Sequence, residues 1–461
     1  MPRSVIRLAG AAALGGLLFG YETAVINGAA GAIQQQFEAG AAALGFAVGA
    51  VLIGAAGGAL VGGRISDRFG RVPIMRIAAL LFLISALGCA FPTGIEEFVA
   101  FRVLGGIGVG IASVIAPAYI AEIAPARVRG RLGALQQLAI VSGIFLSLLV
   151  NALLARLAGG ADQTLWFGLD AWQWMFIAMG IPAIAYGVCA FTIPESPRNL
   201  VARGKDQAAE KVLQTLGDPE PGHQVERIRE SIASDRKPSF KDLRGSAFGL
   251  QRVVWVAIVF NFFVQFTGIN VIFYYSSVLW NAVGFSEEDS FVISVFTSIV
   301  NIVVTVIGMT LIDRIGRKPM LLIGSAGMTV TLGLMAYLFA TATLVDVNGS
   351  VTPDLGPVAG PLALIAANLF VVFFGLTWGT VTWVLLGEMF PNRMRGAGLA
   401  LAGFAQWVAN WVITVTFPML KEANLGIAYG LYALFALLSF FFVARFIRET
   451  RGVALEDVTA G

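Results

Sequence analysis

Twelve apolar stretches of roughly twenty residues run through this chain, and nothing else in it narrows the possible folds as much. They are predicted with soft edges over 6–30, 41–63, 73–91, 98–120, 132–155, 172–193, 252–280, 290–312, 319–342, 360–387, 396–419 and 426–447. At about 1.5 Å per residue each crosses a hydrocarbon core of about 30 Å as a helix. A helix also satisfies its own backbone hydrogen bonds, as lipid requires. Composition agrees: 57% of the 461 residues are hydrophobic and only 13% charged, against about a quarter charged in water-soluble domains. The chain is therefore expected to be an all-α membrane protein with little left for a soluble domain. Its basic start, Arg3 and Arg7, precedes an apolar run that lacks the short core and small-residue cleavage site of a signal peptide, so that run is read as the first span.

Charge sets the orientation. Of the 31 Lys and Arg, Arg102 falls inside a span and Arg156 and Lys421 on one side of the membrane, leaving 31 − 3 = 28 on the other. The positive-inside rule makes that richer side cytoplasmic, with both termini on it, in the cell (inner) membrane. Cys89 and Cys189 lie in apolar spans and the single histidine, His223, in a polar loop. Neither a disulfide framework, nor a metal site, nor a nucleophile–base pair is expected, which argues against a membrane-embedded enzyme. No cofactor, metal or nucleic-acid partner is expected.

The sequence repeats itself. "DRFGRVP" (67–73) returns as "DRIGRKP" (313–319), and "EIAPARVRG" (122–130) as "EMFPNRMRG" (388–396). Equivalent loops after equivalent spans mark two parallel six-span halves, the organisation of a two-bundle transporter. The predicted domains are 1–193, a polar linker 194–251 with short amphipathic helices, and 252–461 with a short tail. In the linker, "DQAAEKVLQTLG" sets Ala209, Val212, Leu213 and Leu216 on one helical face, with Asp206 as N-cap. The glycine runs "GAAGGALVGG" (54–63) and "GGIGVG" (105–110) suit close helix contact in lipid.

Glu22 is an acid inside "LGGLLFGYETAVINGA" (14–29). An ionisable group there is costly unless paired or hydrated, and by default marks a proton or ion pathway. Glu22 falls in the outer third of an outward-running span and Arg102 shortly after the start of an inward-running one, so the two are expected to pair, with bidentate geometry open to them. A permanent ion pair that staples two helices is the plainer alternative. Amides within spans also need a reason: Gln137, Gln265, Asn270, Asn301, Gln406 and Asn410. With Trp383 as a flat platform they suit a sugar, which is ringed by hydroxyls and carries C–H patches. Interhelical hydrogen bonding is the alternative for each, above all for Asn301 and Asn410. Gly268 and Gly379 are expected to let spans seven and ten break.

Together with "GGLLFGYETAVING", "RVLGGIGVG", "PESPR" (194–198), "QFTGIN" (265–270), "WVLLGEMFPNRMRG" and "RETRG" (448–452), the repeated motifs make nearly the whole chain resemble the sugar porter family of the major facilitator superfamily. Within it, the bacterial xylose and glucose proton symporters are similar. The resemblance implies the major facilitator fold, twelve helices in two pseudo-symmetric six-helix bundles, and a proton-coupled monosaccharide importer that works by alternating access. Membrane lipid is the other partner, and a monomer is expected to suffice. It implies Glu22 and Arg102 as the proton-coupling pair. Gln137, Gln265, Asn270, Asn301, Trp383 and Gln406 match sugar contacts, and Tyr274 an outer gate. Asp67, Arg68, Arg71, Glu122, Arg129, Glu195, Asp313, Arg314, Arg317, Glu388, Arg395 and Glu449 match an inner gate latched in the outward-facing state. The chain departs from the family at Glu22, where Asp is usual, and at Val264 and Ile144, where amides occur. These changes leave open whether the substrate is a hexose, a pentose, a deoxy sugar or a cyclic polyol. An uncoupled facilitator, against which the acid speaks, and a transport-dead sugar sensor are the competing readings.

Overall fold

The computed structural model describes residues 3–124, 129–234, 240–347, 350–390 and 394–451. Twelve helical stretches among them are long and apolar enough to cross a membrane: Ser4–Gln36, Ala41–Phe69, Arg71–Ala90, Ile95–Ile123, Leu135–Ala158, Ala171–Thr192, Arg252–Tyr274, Glu287–Ile315, Arg317–Ala340, Gly356–Met389, Arg395–Ala423 and Leu425–Phe446. They follow the predicted spans in number and order, and the protein is a multi-pass membrane protein. The first runs past its predicted end. Val25 still donates to the Tyr21 carbonyl at 2.9 Å, so helix Arg3–Ala24 passes into Ile26–Gln36 and includes the polar Gln34, Gln35 and Gln36 that had closed the apolar window. Glu22 therefore lies nearer the middle of this helix than its outer third.

Two compact units emerge, Met1–Val25 with Ala50–Val150 and Gln173–Lys237, and Ile26–Gly49 with Asn151–Trp172 and Pro238–Gly461. In the first, spans two and four meet through their glycine runs. A Cβ at Gly54 or Gly58 would run into the backbone of Val103 or Ile107, and one at Gly106 or Gly110 into that of Val51 or Ala55. In the linker, helix Asp206–Leu216 buries Ala209, Val212, Leu213 and Leu216, as the spacing predicts. Its N-cap, however, is Lys205. Asp206 opens the helix itself, where a carboxylate favours the positive end of the dipole, and receives Arg229 Nη2 at 2.5 Å.

In the second unit span seven is discontinuous: Arg252–Phe266, then Ile269–Tyr274, then Ser276–Asn281. The break turns on Gly268, at φ +79, a region glycine enters without penalty; a Cβ there would also lie 2.6 Å from the Tyr432 ring. Span ten divides into Gly356–Leu376 and Trp378–Met389, but at Thr377 (φ −119, ψ −82) rather than at Gly379. The Thr377 hydroxyl donates to the Phe373 carbonyl at 2.6 Å, a back-bond that Thr makes within helices and that bends them slightly. Among the described residues, short strands interrupt the all-helical expectation: Thr164–Trp166 pairs with Leu169–Asp170, Thr343–Val347 with Ser350–Asp354, and Arg244–Ala247 bridges to Leu250.

Candidate functional site

Glu22 of span one and Arg102 of span four come together with both side chains 0% exposed. Arg102 Nη1 donates to Glu22 Oε1 and to the Glu22 main-chain carbonyl, each at 2.8 Å. Ser85 of span three donates to the same Oε1 at 3.3 Å. The pair thus engages through one oxygen, because Nη1 is shared with the carbonyl, and not through a bidentate fork. Glu22 Oε2, Arg102 Nε and Arg102 Nη2 have no hydrogen-bond partner among the described residues. Span four admits the carboxylate at Gly105, where a Cβ would overlap Ser85 Oγ and stand 2.6 Å from Glu22 Oε1. Ser85 and Gly105 are the residues that sequence reasoning passed over. Their signals were a hydroxyl in the apolar run 81–90 and a small residue three places after Arg102, on its helical face.

The duplicated loop motifs build two matching clusters, each inside its own half. In the first, Arg71 Nη1 meets Asp67 Oδ1 at 2.6 Å and Arg71 Nη2 meets Glu122 Oε1 at 2.9 Å. Glu195 accepts the Arg71 and Val72 amides at 2.9 and 3.1 Å. In the second, Arg317 meets Asp313 at 3.1 Å and Glu388 at 2.8 Å, while Glu449 accepts the Arg317 and Lys318 amides, both at 3.0 Å. Each helix N-terminus is thereby capped by a carboxylate from distant sequence. Gly70 and Gly316, at φ +106 and +102, leave room for Glu195 and Glu449, since a Cβ on either would strike the carboxylate. Burial pushes the Glu449 carboxyl up, but backbone N–H donors from Arg451, Arg317, Lys318 and Thr450 outweigh it and hold the group below the usual carboxylate range. Arg68 instead lies over the Phe69 ring at 5.4 Å, Arg395 donates to the Phe390 carbonyl at 3.2 Å, and Arg314 stays outside the ion pairs described. Arg129 opens its helix, and its side chain lies outside those described.

Of the proposed sugar contacts, Gln265 and Asn270 flank the span-seven break, joined by Asn270 Nδ2 donating to Gln265 Oε1 at 2.5 Å. They are the only two of the set so joined among the described residues. Asn301 is buried on span eight, its Oδ1 3.5 Å from where a Gly375 Cβ would sit, just before the span-ten break. Trp383 is 50% exposed on the second helix of span ten, and Gln406 is half-buried with Oε1 unpartnered among the described residues. Gln137 is half-buried on span five, in the other unit. Tyr274 is buried and its hydroxyl accepts from Asn410 Nδ2 at 3.4 Å, so Asn410 makes a helix contact. Just beyond, Asn27 clasps span seven: Nδ2 donates to the Phe273 carbonyl at 2.9 Å, Oδ1 accepts the Ser277 amide at 3.4 Å, and the Ser277 hydroxyl donates to the Asn27 carbonyl. Asn27 is a third residue the sequence reading left out, although an amide in an apolar span was its signal. No cluster of His, Cys, Asp and Glu suited to a metal occurs among the described residues.

Twelve spans in two halves with repeated charge clusters, two of the spans discontinuous, and an acid, a cation and amides within them define a secondary transporter of the major facilitator fold. The family model described as "Sugar (and other) transporter" matches residues 8–461, and the chain belongs to that family. It is 51% identical over 456 residues to a glucose transport protein of Synechocystis, covering 98% of this chain and 97% of that one. It is 36% identical over 483 residues to the D-xylose-proton symporter of Escherichia coli, covering 97% and 94%. The inward-open structure of the Escherichia coli xylose transporter superposes with a TM-score of 0.83 at 34% identity, covering 98% of this chain and 99% of that one.

Proposed function

We propose that the chain is a proton-coupled importer of a monosaccharide, hexose or pentose, working by alternating access. It acts as a monomer in the cell (inner) membrane with both termini cytoplasmic, its two transport bundles being 1–193 and 252–461 and its cytoplasmic linker 194–251. One observation carries the reading: a buried acid, Glu22, held by a buried cation through one oxygen while the other oxygen has no partner among the described residues. A proton taken at Oε2 cancels the attraction to Arg102, releases the guanidinium and biases the bundles toward the state that encloses sugar. Gln137, Gln265, Asn270, Asn301 and Gln406 supply hydroxyl partners, and Trp383 a stacking face. Sugar hydroxyls then compete for the Gln265–Asn270 hydrogen bond. Tyr274 serves as the outer gate, and the two clusters with Arg68, Arg129, Arg314 and Arg395 serve the inner one. The relatives named as glucose transport protein and D-xylose-proton symporter support substrate class and coupling.

Glu22→Gln tests this in proteoliposomes. Sugar counterflow should survive, while accumulation driven by a proton gradient is lost. The driving force is ~2.3 kcal/mol per charge per 100 mV, or roughly fiftyfold accumulation. Equal accumulation by the variant would leave Glu22 a structural partner only, and no proton uptake with sugar by the parent would make the protein an uncoupled facilitator.

A further inference from the structure

Only three non-glycine residues among those described have φ in the left-handed region, Glu38, Phe167 and Phe248. The two phenylalanines sit in the same setting. Phe167-Gly168 (φ +56 and +76) forms the tip between strands Thr164–Trp166 and Leu169–Asp170, and Phe248-Gly249 (φ +50 and +85) the tip after strand Arg244–Ala247, which bridges back to Leu250. A two-residue turn with positive φ at both positions strongly favours Asn or Asp before Gly, and phenylalanine is a poor choice for its first place. Water offers no compensation, yet Phe248 is 96% exposed and Phe167 93%. The Phe248 hairpin is also firmly tied: Gln251 donates to the Leu243 carbonyl at 2.8 Å, and the Trp255 indole, in the first turn of span seven, donates to the Ala247 carbonyl at 2.8 Å.

We infer that the Phe248 hairpin is a membrane anchor, its phenyl ring seated at the headgroup–acyl boundary of the leaflet on the side of the termini, with Arg244 and Arg252 meeting lipid phosphates. Aromatic rings concentrate at that depth, and arginine stems reach phosphate while their carbons stay in the apolar layer. Both arginines are exposed. Trp255, itself 38% exposed, joins the tip to a helix that crosses the bilayer, so lipid contact runs on from the span to the hairpin. Phe167, between spans five and six, places the same device at the opposite surface. The consequence falls on span seven: its first helix, Arg252–Phe266, is held in depth by lipid, and movement is left to the part beyond Gly268.

Two measurements on the full chain in nanodiscs decide this. With Cys189→Ser removing the accessible native thiol, nitroxides at Phe248→Cys, at Ile181→Cys on the exposed face of span six and at Gln214→Cys on the linker helix are compared for collisions with oxygen and with a water-soluble nickel chelate. Position 248 should follow 181, with the oxygen-to-nickel ratio several-fold above that at 214; a ratio equal to that at 214 overturns the inference. Phe248→Asn, which suits the turn better, should nonetheless lower the unfolding temperature by a few degrees, and Phe248→Trp should leave it unchanged. An Asn variant as stable as the parent makes Phe248 a mere turn residue and likewise overturns it.

Discussion

Alanine at position 105 is the smallest change that reaches the Glu22–Arg102 pair without replacing either partner. Its Cβ would overlap Ser85 Oγ and stand 2.6 Å from Glu22 Oε1, so one of the two must turn away. Ser85 rotates about a single torsion and is the easier to move, at the loss of its 3.3 Å bond to Oε1. Hydrogen bonds to charged groups contribute about 1.5–3 kcal/mol, and this long one belongs near the lower figure. If the carboxylate swings instead, its 2.8 Å contact with Arg102 goes too, and breaking a buried pair costs about 3–5 kcal/mol. Gly105→Ala should therefore destabilise by between about 1.5 and 5 kcal/mol. A double-mutant cycle isolates the cause. Ser85→Ala removes the nearer clashing atom, so Gly105→Ala should cost about 1 kcal/mol less in that background than alone. Unfolding in micelles, with proton-driven uptake measured beside it, reads both quantities. Additivity within about 0.5 kcal/mol, or full stability of Gly105→Ala, refutes a single packed site of Glu22, Ser85 and Gly105.

Asn27→Ala removes two side-chain contacts with Phe273 and Ser277 and should lower stability by about 1–3 kcal/mol in thermal unfolding; an unchanged midpoint would deny the clasp. Glu449 has a depressed folded pKa, so its stabilisation is present above the unfolded carboxylate value of ~4.3 and is lost as pH falls through the folded one. Glu449→Gln should accordingly lower the unfolding temperature at pH 7, with the gap to the parent closing as the sample is acidified below pH ~4, and a gap that persists in acid contradicts the assignment. Gln265→Ala should weaken sugar binding by about 1–3 kcal/mol in calorimetry, through polar partners left unmade; affinities unaltered there and in Asn270→Ala would remove the span-seven amides from the site.

Hydrophobic run length read the spans well because a bilayer imposes one length on every helix, and the repeated motifs carried the halves. Side-chain type singled out Glu22 and Arg102, since charges in lipid must find partners, whereas the repeated loop motifs and the family resemblance pointed to the acids of both clusters. What escaped depends on neighbours distant in sequence. Ser85 matters only because Oε1 comes within 3.3 Å of it, and Gly105 looked like one more packing glycine. Residue type points to Gly379 for the span-ten break, whereas the backbone leaves helical geometry at Thr377, which no propensity singles out. Residue type makes Asp206 a cap, yet it is the first residue of the helix and its carboxylate accepts from Arg229.

The pseudo-symmetry shows where function departs from architecture. The offset 313 − 67 = 246 relates the first loop motifs and 388 − 122 = 266 the second. Carried along the chain, they set Glu22 opposite Gly268 (22 + 246) and Arg102 opposite Asn368 (102 + 266). The charge clusters are thus doubled, down to the Asp and Glu partners of each arginine, while the buried ion pair has neutral counterparts. Where the first half holds an acid, the second holds the glycine on which span seven breaks, at φ +79. Five of the six proposed sugar contacts, Gln265, Asn270, Asn301, Trp383 and Gln406, belong to that second half. On the proposed reading, one half keeps an ionisable pair and an unbroken buried contact between spans one and four, suited to sensing a proton. The other trades that charge for a flexible joint flanked by amides, suited to closing over a neutral, hydroxylated ligand. On the same reading, the gate rests on what the two copies share and coupling on the positions where they differ.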